Sequence, residues 1–561
     1  MRKRLGWMTA AVLAGAAAVS PVRAQQMSSA RIDELVHQAA ERLAASQGGA
    51  VAQAPAPAAQ TTSERPTMRL TLDDAVKAAL DHNLDIAVQR LNPQLQDIAL
   101  VSARGVYHPV IGSTVTSQSF TNPATNTLAG SNTIGAAIVA GNTTYNGNVT
   151  QSVPWGGGNF VVNMNNARQT TTNATALFNP QYNSIWTGQY TQPLLRNFRI
   201  DATRQTLQVT KLNRDISDVQ LKATITNTLS NVRNAYWDYV FAVQSVDVAR
   251  QSLALAEQLV SNNQTKVQVG TMAPIDVVQA QAQAATQRQN LVVAQGTLRT
   301  SELALKRLIV GGTEDPLWNA TLDPVDRPDF RPEPIDVAGA VRRALSERTD
   351  LEIARKNVQA NDVTVRYLRG QTLPQADFVA LYGFTGLGGS QLITSGSGVN
   401  RIVTGKLPGG YSDALSSLFN RDFPRWTFSV NLSYPLGQST QEAAVARARV
   451  QLAQVESQLK QIELQVATDV TNAATNVQSN IERVQAAQAA RQLSQQQLDA
   501  ERSKFEVGMS TNYFVVQAQR DLATAQNNEL SAILAYRRSL VELERLQQTA
   551  LQSLNITVVS R

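Results

Sequence analysis

Val277-Val278-Gln279-Ala280-Gln281 recurs as Val515-Val516-Gln517-Ala518-Gln519, 238 residues further on, and that recurrence governs how the rest of the chain reads. At the same offset Leu303 to Leu308 matches Val541 to Leu546. Towards the amino terminus, Gln192-Pro193-Leu194 matches Tyr434-Pro435-Leu436 at an offset of 242. Leu72 to Ile86 matches Val337 to Leu351 at 265, and the same offset carries Pro109 onto Pro374. The chain therefore reads as a tandem duplication, with repeat 1 over residues 70–311 and repeat 2 over 335–550. Residues 312–334 form an inter-repeat linker and 551–561 a tail.

The shifts in offset say what each part is. Between its two prolines repeat 1 is 23 residues longer than repeat 2, a difference that loops absorb. Between the second proline and the following Gly the repeats differ by only four residues, about one turn of an α-helix, so a buried face survives the change.

Those latter segments predict very long helices. Leu452, Val455, Leu459, Ile462, Val466, Val470, Ala473, Val477, Ile481 and Val484 recur at steps of three and four, the spacing of a coiled-coil stripe. Ile216, Val219, Ala223, Thr226, Leu229, Tyr236, Val240 and Val243 do so more loosely. No proline interrupts either run, and about 75 residues at 1.5 Å each reach on the order of 110 Å. The opposite faces carry Gln, Ala, Asn and Thr rather than rows of Lys and Glu, which suits further packing or a wet lumen.

Between the proline pairs the pattern turns to alternation. Residues 110–195 hold a single charged residue, Arg168, among Thr, Asn, Gly, Val and aromatics. Val110 to Phe120, Asn159 to Asn165 and Ser184 to Gln192 predict strands in the β segment 110–193, and Ala376 to Phe384 and Trp426 to Tyr434 in the β segment 376–435. Aromatics such as Trp155, Trp186 and Trp426 near strand ends are what the wall of a membrane β-barrel requires at its interfaces. The Gly- and Ser-rich stretch Gly386 to Asp422 is expected to be a long loop beyond the membrane. Whether the hairpin-like 146–169 adds strands stays open. On a count of two membrane strands per repeat, one chain cannot close a pore, whereas three chains give about twelve strands.

Arg2-Lys3-Arg4, an apolar run from Leu5 to Val19 and Val22-Arg23-Ala24 make residues 1–24 a secretory signal peptide, too short in its apolar core to span a bilayer. Its removal takes away four basic and no acidic residues, lowering the net charge from +7 to +3, so a basic-patch reading for nucleic acid loses its support. Residues 25–69 are an extension and linker, rich in Ala, Pro and Gln.

Enzymatic and metal-binding chemistry finds no support. The chain has no Cys and only three His, His37, His82 and His108, which form no metal-binding pair. Gly405-Lys406 has Asn400 where a phosphate loop needs its first Gly, and no His, Ser and Asp constellation occurs. No catalytic residue, cofactor or metal is expected.

Val269-Gly270-Thr271 and Val507-Gly508-Met509, in register between the repeats, complete the picture. Together with the order helix, strands, long helix, turn, helix in each unit, they make the chain resemble the TolC family of outer-membrane efflux proteins over residues 70–550. That resemblance implies a mostly α fold with a membrane β part. In it, tandem-duplicated long helical hairpins of three chains form a periplasmic α-barrel, continued by a shared outer-membrane β-barrel. It further implies passive conduction from an inner-membrane transporter and a periplasmic adaptor to the exterior, in efflux or type I secretion. Val269, Gly270, Thr271, Val507, Gly508 and Met509 would be the adaptor-docking tips. Phe514 and Gln517 stand where family members often carry two Asp at the periplasmic aperture, and Asp276 is the equivalent of the first in repeat 1. An aromatic and amide constriction and simple packing of Phe514 between helices are both open. The competing expectation is a secreted coiled-coil structural or adaptor protein of the envelope, which explains the helices but not the uncharged β segments.

Overall fold

The computed structural model describes residues 66–123, 137–173, 175–327, 330–332, 334–396, 402–436 and 439–549. The chain divides into two units, Met1–Glu64 and Arg65–Arg561. The first unit, and with it the expected signal peptide, nearly all of the extension 25–69 and the tail 551–561, lies outside the described residues.

In the second unit, strand β1 (Thr67–Leu70) leads into helices α1 (Leu72–His82) and α2 (Leu84–Gly105). Four strands follow, β2 (Val110–Pro123), β3 (Ala137–Ser152), β4 (Asn159–Thr171) and β5 (Phe178–Pro193). Then come the long helix α3 (Ala202–Gln268), helix α4 (Pro274–Ile309), a single turn α5 (Pro316–Asn319) and β6 (Thr321–Pro324). The second half runs α6 (Val337–Glu347), α7 (Thr349–Gln371), β7 (Gln375–Ser395), β8 (Ile402–Leu407), α8 (Tyr411–Asn420), β9 (Phe423–Ser433), α9 (Thr440–Glu506) and α10 (Asn512–Gln547).

Helices α3 and α9 each have 67 residues and α4 and α10 each have 36, so the long pair extends roughly 100 Å at 1.5 Å per residue. Their starts are fixed by side chains. Asp201 accepts from the Arg204 amide at 2.7 Å, and Ser439 and Glu442 form a reciprocal capping box. In α9 the stripe from Val466 to Val484 is buried against α6, α7 and α10, whereas its first members, Leu452, Val455 and Leu459, are only half-buried. In α3 the stripe from Ile216 to Val240 is buried apart from Ala223, and α10 of the second half packs along it. Ion pairs Arg233–Glu544 and Arg538–Asp238 tie α3 to α10.

The inter-repeat linker is structural. Its strand β6 pairs in parallel with β1, so the last residues expected to belong to the amino-terminal linker are held instead in a small sheet. Asp326 accepts from the Leu72 amide at 2.7 Å and from the Tyr236 hydroxyl at 2.8 Å, and Tyr236 also donates to the Leu70 carbonyl. Burial pushes the Tyr236 and Tyr239 hydroxyls well above their usual titration range, so both serve as neutral donors.

The larger sheet corrects the count of two strands per repeat. Its pairing is antiparallel throughout and runs β2-β3-β4-β5-β7, with both β8 and β9 on the far side of β7. Segment 110–193 thus supplies four strands, and 146–169 lies inside the sheet. Strand β3 escapes the alternation test because Ala140-Gly141-Asn142-Thr143-Thr144 has no apolar period, so its place is set by pairing on both sides. The expected loop 386–422 is also corrected. Strand β7 continues to Ser395, β8 returns along it, and α8 packs on it so closely that a Cβ at Gly386 would stand 2.0 Å from the Ala414 carbonyl oxygen. The glycines there serve close approach of helix to strand rather than looseness.

Candidate functional site

Two regions carry the surface chemistry, the ends of the helical hairpins and the faces of the sheet. At the first hairpin end, Gly270 has φ +76°. Its amide donates to the Val267 carbonyl at 2.9 Å, and the Thr271 amide to the Lys266 carbonyl at 2.9 Å. At the second, Gly508 has φ +80°, its amide donates to the Phe505 carbonyl at 3.3 Å, and the Met509 amide to the Lys504 carbonyl at 2.8 Å. Both are Schellman closures, in which a left-handed residue lets the chain turn back and satisfy the last carbonyls, and Gly adopts that conformation without strain. A Cβ at either Gly meets nothing within 4 Å among the described residues, so the turn alone demands glycine here.

Around these turns the side chains are apolar and exposed. Val269 is 73% exposed, Val507 70% and Met509 80%, with Ile275, Tyr513 and Phe514 beside them. An apolar cluster at a helix end, exposed among the described residues, is a surface suited to contact. Phe514 meets Tyr513 edge-on at 5.6 Å and does not pack between helices of this chain. Gln517 is half-buried and donates to Asp521 at 2.8 Å, which places one carboxylate a turn beyond the amide. Asp276 lies in the first turn of α4, where the helix dipole favours its charge.

The structure adds two residues that the sequence reading missed. Asn263 and Asn512 are buried, Asn263 Nδ2 donates to Asn512 Oδ1 at 2.8 Å, and Asn512 Nδ2 donates to the Asp276 carbonyl at 3.2 Å. This amide cluster ties the end of α3 to the starts of α4 and α10. Its signal was available, because Asn263 interrupts the buried stripe of Ala256 and Leu259 with a polar side chain. Arg520 donates to the buried Gln283 at 2.7 Å one level higher. Lys266 Nζ lies 3.9 Å over the Phe505 ring, closing α3 against α9 beside a cavity of about 270 Å³.

Replacing Asn512 with alanine leaves the buried Asn263 amide only its longer bond to the Asp276 carbonyl, a cost of about 1–3 kcal/mol. The expected result is a lower thermal unfolding midpoint of the purified protein in detergent, together with looser hairpin ends. Hydrogen bonds from Lys504 and Ser510 hold the Glu501 carboxyl below its usual range. A lowered folded-state value stabilises the folded form above the ordinary carboxylate range, and that contribution is lost as pH falls through the folded value. Acid is therefore expected to weaken the Glu501 bonds to Lys504 and Ser510, an effect that solvent screening keeps small.

The sheet is two-sided. Register pairs put Pro424, Trp426, Phe428, Val430 and Leu432 of β9 on one face with Phe384, Tyr382, Ala380, Phe378 and Ala376 of β7. The same face continues through Trp186 and Tyr190 of β5, Phe160, Val162 and Met164 of β4, and Val149 of β3. The other face carries Thr114, Thr116, Asn146, Asn148, Asn163, Asn165, Thr187, Gln189, Thr427 and Ser429. Trp186 stacks on Phe384 at 5.9 Å, and Trp426 stands opposite Tyr382 on the same face, so these two belong to one aromatic group. Trp155 sits apart, exposed in the turn between β3 and β4, where the Gln192 side chain donates to the Gly156 carbonyl. Six strand positions separate Gln192 at that level from Trp186, roughly 20 Å along the strand.

Among the described residues no helix is long and apolar enough to cross a membrane, and no cluster of three His, Cys, Asp or Glu could hold a metal ion.

The sequence matches the model of the "Outer membrane efflux protein" family over residues 159–311 and 340–547. Comparison with curated protein sequences finds no match. Solved structures share the fold. The outer membrane channel CmeC of Campylobacter jejuni is 15% identical, with 87% of this chain and 90% of that chain covered at a TM-score of 0.58. The outer membrane protein VceC of Vibrio cholerae is 14% identical, with 85% and 95% covered at 0.58. A membrane protein of Pseudomonas aeruginosa is 15% identical, with 85% and 90% covered at 0.61.

Proposed function

Because this chain belongs to the outer membrane efflux protein family, we propose that it is the exit duct of a tripartite efflux or type I secretion assembly. Three copies share one outer-membrane barrel and extend their helical hairpins as a periplasmic α-barrel. An adaptor docks on the hairpin ends at Val269, Gly270, Thr271, Val507, Gly508 and Met509, and an inner-membrane transporter supplies the energy. The aperture lies beside Phe514, Gln517 and Asp276, and opens by separation of the hairpin ends.

The observation that carries this reading is the two-sided sheet. A continuous face of Trp, Phe, Tyr and Val opposite a face of Thr, Asn and Gln suits lipid on one side and a wet lumen on the other. A soluble coiled-coil protein has no use for such a sheet. Trp155 and the Trp186–Trp426 group then mark two levels of the membrane-facing band. The two exposed apolar hairpin ends suit protein contact, and a lumen face built mostly of amides and hydroxyls suits passive conduction.

Fractionation of cells expressing the full chain tests the assignment. It should remain with outer membranes through salt and alkaline washes and come away in detergent with the mass of a trimer. A water-soluble monomer contradicts the reading.

A further inference from the structure

The large sheet is open at both sides. Strand β2 pairs only with β3 and strand β9 only with β7, so each presents one row of unpaired backbone N–H and C=O groups among the described residues. Both strands are exposed along nearly their whole length. In hydrocarbon each unsatisfied backbone group costs several kcal/mol, so a membrane sheet with bare edges does not persist. Six strands also cannot close on themselves, since the smallest membrane barrels have about eight.

We propose that a second copy of this chain covers each edge, β2 of one protomer pairing with β9 of the next, so that the trimer closes a barrel of 18 strands rather than 12. This rests on the duct reading given above and adds to it the seam and the width of the opening. Strands β2, β4 and β7 run one way and β3, β5 and β9 the other, as their antiparallel pairings require. The two edges therefore have opposite directions, and copies set side by side around an axis meet in antiparallel pairing. An odd number of wall strands per chain would bring the edges together in parallel. Strand β8 does not add a seventh wall strand. It pairs with β7 at Gln391 to Ser395, above the stretch Gln375 to Thr385 that pairs with β9, on the same side.

The faces also match. Register carries Ile111 of β2 through Val149, Val162, Gly188 and Tyr382 to Trp426 of β9, so odd positions of β2 share the lipid-side face with even positions of β9. Seams that join like faces keep the lipid side apolar around the ring. With strands about 4.8 Å apart and tilted about 40°, 18 strands give a backbone diameter of about 36 Å against about 24 Å for 12. An opening that wide, lined mostly by amides and hydroxyls with Asp377 and Arg425 as the charges of its wall strands, has little power to select its cargo. Selection and closure fall to the hairpin ends, and the outer part admits bulky polar cargo.

The test uses the chain's lack of cysteine as a clean background. Four double variants combine Thr114→Cys or Thr116→Cys in β2 with Thr427→Cys or Ser429→Cys in β9, all on the lumen-side face and stepping through adjacent registers. Outer membranes are oxidised and run on denaturing gels, and the wild-type trimer is imaged in lipid nanodiscs by electron cryomicroscopy. The expected result is reducible dimer and trimer bands in at least one double variant, none in the single variants, and 18 strands in the wild-type wall. A trimer with 12 wall strands and no crosslinked band overturns the seam and leaves the duct reading standing. A monomer with no crosslink overturns both.

Discussion

Replacing Gly270 or Gly508 with leucine is expected to reduce efflux at least about tenfold while the amount of trimer in the outer membrane stays near that of the unaltered chain. The fold tolerates the change because a Cβ at either position meets nothing within 4 Å. The cost is confined to the backbone. An L-residue held at φ near +76° or +80° carries about 1–2 kcal/mol of strain, small beside the burial along helices of 67 and 36 residues. What changes is the surface, since a branched side chain stands where Val269 and Met509 offer an apolar platform. A docking loss of about 1.4 kcal/mol already corresponds to a tenfold change in affinity. Minimum inhibitory concentrations of pump substrates and the yield of trimer, measured together, check it. Unaltered export in both variants refutes the docking role of the hairpin ends.

The second large effect belongs to the sheet. Phe428→Arg puts a guanidinium on the face that holds Trp426 and Phe378, where a charge near the bilayer midplane costs about 2–4 kcal/mol. Thr427→Arg, one residue away on the opposite face, puts the same charge towards the lumen beside Arg425 and Ser429, where water reaches it. Outer-membrane trimer should fall severely for the first variant and remain near normal for the second, with altered ion selectivity. Equal yields of the two variants would mean that neither face meets lipid. Arg168 shares the face of Phe160, Val162 and Met164 but stands at the end of β4 remote from Trp155, where its Nε donates to the Tyr182 hydroxyl.

The long helices were the most legible part of the sequence. A stripe such as Val466, Val470, Ala473, Val477, Ile481 and Val484 records burial on one face directly, and all six are buried. The capped ends were legible too, since Gly270 and Gly508 stand in register between halves whose paired helices have equal lengths. Five strands of the sheet were legible as alternation, but β3, β8 and the far half of β7 were not. Strand β3 is built from Asn, Thr and Gly that bond to strands on both sides, so neither face leaves an apolar period to read. The glycines of β7 look like a loop in sequence because their purpose, the approach of α8 at Gly386 and Gly388, is a long-range contact. At the hairpin ends, the Asn263–Asn512 bond joins residues 249 apart, and the repeat offset relates neither to the other. Phe514 and Gln517 were found by position alone, and the neighbouring Asp521 gained meaning only through its bond to Gln517.

Single-channel recording in a planar bilayer, with detergent-purified full-length protein, tests the central claim most directly. The duct reading predicts discrete, uniform conductance steps from a trimeric preparation. With Phe514 and Gln517 at the aperture, and one acidic and one basic residue, Asp377 and Arg425, on the lumen-side face of the sheet, cation preference should be weak. A stable, water-soluble preparation that never produces a conductance step would contradict it.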